Sequence, residues 1–145
     1  MRLIIQKVTS ASVKIEGEVI SSIQKGLLIF LAIHKNDTED IISKLTEKIS
    51  KLRIFEDTEG KINNSIIDIQ GELLIVPQFT LYGDSSKGNR PSFTEAAEPK
   101  KAEVYYEKFV AALKEKNIPV ATGKFRTYMQ VQLINDGPAT LIIDS

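Results

Sequence analysis

The chain has no cysteine, no tryptophan and a single histidine, His34. Without thiols there is neither a disulfide framework nor a thiolate metal site. One imidazole is too little for a zinc cluster or a histidine-based triad, so no metal and no cofactor is expected. No charge sign is in excess, with 19 basic and 19 acidic side chains. That balance excludes the global positive field of a non-specific nucleic-acid binder, and any RNA contact has to be local. No apolar run approaches the roughly 20 residues of a membrane span. The segment Met1–Lys7 flanks three apolar residues with charge and lacks a signal-peptide core. The expectation is a cytoplasmic protein. Repeats, low-complexity tracts and linkers are also missing, so residues 1–145 read as one domain.

What is present is ordered around the stretch from Glu72 to Asp84, ELLIVPQFTLYGD. Leu73 to Val76 are four apolar residues in a row, the signature of a strand covered on both faces. Pro77 removes a backbone donor, so the ladder ends or bulges there. Gln78 and Thr80 follow where a sheet stops and its polar groups become free to hold something. A plain strand end running into a turn at Gly83-Asp84 is the competing reading.

Before this stretch, Arg2 to Val8 predicts a short strand, and Ser12 to Ile23 predicts a hairpin about Glu16-Gly17-Glu18. Leu27 to Ile33 predicts a second central strand, with His34 leaving it as a surface or turn residue. Asp37-Thr38-Glu39-Asp40 has the composition of a helix start with a capping side chain. Ile41, Ile42, Leu45, Ile49 and Leu52 then give one buried stripe, ending near Arg53. Phe55 to Asn64 reads as a loop. Gly83 to Phe93 is a long turn-rich loop in which Lys87 and Arg90 suit phosphate contact or are simply solvated. Pro99 opens a second helix with a stripe of Ala102, Tyr105, Tyr106, Phe109, Ala112 and Leu113. Three β-like segments finish the chain: Pro119 to Ala121, Met129 to Ile134, and Ala139 to Ile143, with Gly137-Pro138 as a turn between the last two. This order gives an α+β domain, mostly antiparallel sheet with two helices packed on it.

Four stretches together resemble the D-aminoacyl-tRNA deacylase family: Gln78-Phe79-Thr80-Leu81, Lys87-Gly88-Asn89-Arg90-Pro91-Ser92-Phe93, Met129-Gln130-Val131 and Asn135-Asp136-Gly137-Pro138-Ala139-Thr140. The similarity runs from Met1 to Ser145. It implies an α/β/β layered domain forming a homodimer, with active sites at the subunit interface. It implies a catalytic pocket lined by Gln78, Phe79 and Thr80 for the aminoacyl-adenosine end of tRNA. Gly137 and Pro138, joined by a cis bond, would enter that pocket from the partner, with Met129 packed nearby and Lys7 bracing the pair. Lys87 and Arg90 are weaker candidates for tRNA contact. Three departures stand out: Pro77 where the family usually has serine, Lys7 where it has arginine, and Phe125-Arg126-Thr127-Tyr128-Met129 where it commonly has Phe-Gly-Ala-Xaa-Met.

The implied reaction is hydrolysis of the ester joining a D-amino acid to the terminal ribose of tRNA, a proofreading step of translation. Glycine mischarged on the alanine tRNA is an expected further substrate. Thr80 as nucleophile lacks a neighbouring base in the motif, and metal-assisted attack lacks ligands. Assistance by the adjacent ribose hydroxyl, with protein donors for the oxyanion, is the third chemistry and the one favoured here. Two other classes stay open: a non-catalytic binder of the acceptor end, and an interaction domain whose polar strand ends form a dimer seam.

Overall fold

The structure, a computed structural model, describes residues 1–145. The first strand, β1 (Arg2–Ile15), is far longer than the short strand expected, and the rest of the sheet is built on it. It turns through Glu16-Gly17, both with positive φ (51° and 84°), into β2 (Glu18–Ile23). Two positive φ values in a two-residue connection match the right-handed twist of a hairpin, as the sequence pattern predicts. β3 (Gly26–Ala32) pairs antiparallel with the first half of β1, and β2 with its second half.

Helix α1 (Asp40–Lys51) follows. The expected capping side chain is not used: Glu39 occupies the cap position without a side-chain bond, and Asp37 instead accepts the His34 amide at 2.6 Å. Phe55 to Asn64 is not a plain loop but a small hairpin, β4 (Phe55–Glu56) with β5 (Ile62–Asn64). Its polar composition hid the pairing, which rests on backbone bonds and the one buried side chain of Phe55. The chain then enters β6 (Glu72–Pro77), a turn of 3-10 helix at Phe79–Tyr82, helix α2 (Pro99–Lys114) and β7 (Val120–Thr122). The last strand, β8 (Gln130–Asp144), is continuous where two strands were expected.

β1 pairs antiparallel with β2, β3 and β8, while the β3–β6 and β6–β7 pairings are parallel. The sheet is therefore mixed. A helix lies in each connection between parallel neighbours, as parallel strands require a crossover. Side chains alternate between two cores. Leu27, Ile29, Leu31, Leu73 and Ile75 face α1 and α2 in the larger core, together with Leu45, Ile49, Phe109 and Leu113. Leu28, Leu74 and Val76 face the other way, with Val8, Ala11 and Val13, and are partly covered by Met129, Val131 and Leu133. β1 changes cores along its length: Leu3 and Ile5 join the first, Val8 and Val13 the second. The register shifts on β8 between Gln6 and Ser10 make the switch, and they bend the sheet towards a barrel. Ser21 closes the curl by donating from Oγ to the Thr122 carbonyl at 2.8 Å. Neither helix is long and apolar enough to cross a membrane.

Candidate active site

β3 and β6 run parallel and end side by side, and a cavity of about 700 Å3 opens beyond their carboxyl ends. Sheet strands that stop together leave main-chain groups facing the same crevice. Leu31 to Ile33 and Val76 to Phe79 form one wall, Ala97, Pro99 and Ala102 a second, and Phe125 to Met129 a third. The wall is mostly apolar, and apart from Arg126 and Tyr128 it carries no ionisable side chain.

The turn after Pro77 is held from several directions. The Gln78 amide donates to the Leu31 carbonyl at 2.9 Å, and the Leu81 amide to the Gln78 carbonyl at 3.2 Å. Phe79 and Thr80 are the first two residues of the 3-10 turn, so their N–H groups have no acceptor inside it. Arg2 reaches over from β1, donating from Nη1 to the Leu81 carbonyl at 3.1 Å while its guanidinium lies 5.2 Å from the Tyr82 ring centroid. Asp144 fixes that guanidinium at 2.8 Å, and the bond holds the Asp144 carboxyl below its usual range. His34 meets Tyr82 edge-on at 5.1 Å and pairs with Glu95 at 3.1 Å, next in the chain to Ile33 of the wall but not itself part of the lining. Phe93 packs edge-on against Phe79 at 5.2 Å and so ties the long loop to the turn.

Gln78, Phe79 and Met129 line the cavity together. Thr80 is next to it but not part of the lining, and its Oγ1 accepts a short hydrogen bond from Gln78 Nε2. No base contacts the hydroxyl. Met129 folds back over Gly123, where a Cβ would lie 2.9 Å from its Sδ. Lys7, Lys87, Arg90, Gly137 and Pro138 do not line this cavity. Lys87 and Arg90 stand exposed on the loop beyond Phe93.

Gly137-Pro138 is a cis peptide, lying not in a turn between strands but in a protrusion within β8. The ladder to β1 skips from Val8–Asn135 to Gln6–Thr140, which leaves residues 136–139 bulged out. Asn135 clasps the base: Nδ2 donates to Thr140 Oγ1 at 3.0 Å, and Oδ1 accepts the Ala139 amide at 3.1 Å. Asp136 turns away from this clasp and lies 3.8 Å from Lys7 Nζ. Lys7 is 4 % exposed and also reaches Glu56 at 3.2 Å, so it stands behind the bulge rather than in the pocket.

Sequence reasoning missed Arg2 and the Asn135–Thr140 clasp, and it named Phe125, Arg126 and Tyr128 only as part of the departure from Phe-Gly-Ala-Xaa-Met. Arg126 has φ at 54°, in the left-handed region that glycine enters at less cost, so this turn of the wall carries a charged side chain. No group of three or more histidine, cysteine or carboxylate side chains is placed to hold a metal ion.

The family model described as D-Tyr-tRNA(Tyr) deacylase matches residues 4–144. A D-aminoacyl-tRNA deacylase of Thermotoga petrophila is 52% identical over 145 residues, covering 100% of this chain and 97% of that protein. One of Chloroflexus aurantiacus is 55% identical over the same length, covering 100% and 91%. Among solved structures, a c-Myc DNA unwinding element binding protein superposes with a TM-score of 0.95 at 41% identity, over 100% of this chain and 99% of that one. A probable eukaryotic D-amino acid tRNA deacylase superposes at 0.84 with 17% identity, over 99% and 98%, a likeness of fold.

Proposed function

Because the chain belongs to the D-Tyr-tRNA(Tyr) deacylase family, and is an ester hydrolase with D-aminoacyl-tRNA deacylase activity, we propose that residues 1–145 act as one catalytic domain whose pocket reads handedness through main chain. Two copies assemble in this reading, and the Gly137-Pro138 bulge of one enters the Gln78–Phe79 pocket of the other. The helices form one layer and the curled sheet two more. The work is done in the cytoplasm, on the acceptor end of tRNA.

One observation carries the mechanism: the Gln78–Phe79–Thr80 turn opens to a cavity whose lining has no carboxylate and no imidazole. An aminoacyl ester is already activated, so the protein has to orient it and to stabilise the oxyanion. The Phe79 and Thr80 amides supply the donors. Water attacks the carbonyl carbon, the bond to the ribose oxygen breaks, and the water proton passes by way of the adjacent ribose hydroxyl to the departing oxygen. The Thr80 hydroxyl accepts from Gln78 and has no base to take its proton. It holds the turn in shape.

Inverting a Cα exchanges hydrogen for side chain and leaves the amine and carbonyl in place. A rigid main-chain wall therefore clashes with an L side chain and admits a D one, whatever that side chain is. Glycine, with nothing to clash, is hydrolysed too, including glycine mischarged on the alanine tRNA. The test is deacylation of D-tyrosyl-, L-tyrosyl- and glycyl-tRNA by the wild type and by Thr80→Ala. The expected result is turnover of the D and glycyl esters, sparing of the L ester, and most of the rate kept in the variant. Loss of all activity in a folded Thr80→Ala protein restores the nucleophile; sparing of glycyl-tRNA removes exclusion as the sole filter.

A further inference from the structure

Arg126, Thr127 and Tyr128 belong to two concavities at once. On one side they close the cavity beyond β6; on the other they border a groove of about 540 Å3 whose far bank is the β1–β2 turn. Lys14, Glu16 and Gln130 complete that groove, Lys14 and Gln130 being cross-strand partners in the β1–β8 ladder. Resting on the deacylase reading, we propose that this groove is the track for the single-stranded 3′ end of tRNA as it leaves the pocket, with Tyr128 as a stacking platform for a base and Lys14 and Arg126 as phosphate contacts.

Three observations converge on that assignment. Tyr128 is 87% exposed, the highest value among the large hydrophobic side chains, and its hydroxyl has no partner in the chain. A flat ring held in solvent beside cations is the usual platform for unpaired bases, and it is tolerant of which base stacks. Lys14 and Arg126 take part in none of the chain's salt bridges, so neither cation is neutralised by a carboxylate of its own. The two cations outweigh Glu16, the only carboxylate of the groove. The groove lies directly across the Arg126–Tyr128 ridge from the cavity, so a strand that leaves the pocket over that ridge with its terminal adenosine inside meets the groove next. Arg126, in the left-handed region at φ 54°, is placed by the loop on the ridge between the two.

Binding of uncharged tRNA, followed by fluorescence anisotropy at several salt concentrations, tests the groove independently of catalysis. Intact tRNA is compared with tRNA trimmed of its unpaired CCA end, on the wild type and on Tyr128→Ala, Lys14→Gln and Arg126→Gly. Tyr128 is almost wholly exposed and glycine suits the Arg126 backbone, so these variants keep the wild-type melting temperature, which is recorded alongside. The expected result is that trimming weakens wild-type binding and that Tyr128→Ala weakens binding of intact tRNA about tenfold. Each lost cation makes the log Kd against log salt slope shallower by about 0.7. Glu16→Gln tightens binding. Equal wild-type affinity for intact and trimmed tRNA, or unchanged affinity in both Tyr128→Ala and Lys14→Gln, overturns the groove. Hydrolysis of D-tyrosyl-tRNA by the wild type is measured on the same preparation, so a failed groove and a failed deacylase reading are told apart.

Discussion

Lys7 carries a charge almost wholly out of water, between Glu56 on one hairpin and Asp136 at the foot of the Gly-Pro bulge. A buried ammonium is tolerated only with such partners, and it fixes them in return. An ammonium is a point charge and offers no planar fork for two carbonyls; here it acts on the bulge through the Asp136 carboxylate. The hydrogen bond from Lys7, followed by its charge, holds the Glu56 carboxyl below its ordinary 4.5. The sign follows: a carboxyl lowered by folding stabilises fully above its ordinary value, and the contribution is lost as pH falls through the lowered one. In Lys7→Met the Glu56 titration therefore moves back up, an NMR shift that a purely space-filling lysine would not produce. With Asp136 released, kcat/KM for D-tyrosyl-tRNA falls about 10- to 100-fold, as expected when a positioning contact is lost, and Lys7→Arg retains most of it. Undiminished activity in a folded Lys7→Met protein would separate the bulge from its brace. The sequence marked Lys7 as a departure from a pattern, but its partners lie 49 and 129 positions away, and no local rule connects them.

Among elements, the two helices were legible and the strand ends were not. Apolar residues at a 3.6-residue period identify a helix whatever it packs against, and Ile42, Leu45 and Ile49 are buried as that period requires. The length of β1 and the unity of β8 depend on pairing with each other, which is a tertiary fact. Gly137-Pro138 looks like a turn in one dimension; only the continuing ladder on both sides makes it a bulge. Gly26 illustrates the same limit. It opens β3 at the place where a Cβ would sit 1.9 Å from the Glu72 carbonyl oxygen of the parallel neighbour. The atom in the way is backbone, so the strands have to part. Gly26→Ala is expected to lower stability by about 1–3 kcal/mol or more, measured by urea denaturation. Because β3 and β6 together carry the pocket wall, activity falls with it; a variant as stable as the wild type would show that the two strands slide freely at their start.

At the scale of the whole molecule, β8 presents Ile134, Leu141 and Ile142 to solvent, with Ile142 67% exposed, on the strand that also carries the bulge. Exposed apolar side chains on both sides of a protruding polar clasp suit a self-complementary contact, in which each copy gives what the other receives. Gly137 and Pro138 lie outside their own cavity lining, so a pocket that uses them has to borrow them. Subunit complementation tests this directly. A Phe79→Pro chain keeps its bulge but removes a main-chain N–H from its pocket, at the first position of the 3-10 turn where proline is tolerated. A Gly137→Val chain keeps its pocket but spoils its bulge, since φ at 123° is a conformation side chains resist. Each homodimer alone is expected to be inactive on D-tyrosyl-tRNA. After mixing and exchange, half the dimers pair the two kinds of chain and one of their two sites is whole, so activity returns to about a quarter of the wild-type value. Ile142→Lys, at the most exposed apolar position of β8, should give a monomer by sedimentation that neither turns over substrate nor exchanges. If mixing restores nothing while each chain remains dimeric, the bulge serves its own subunit, and handedness would have to be read by side chains of the cavity wall instead.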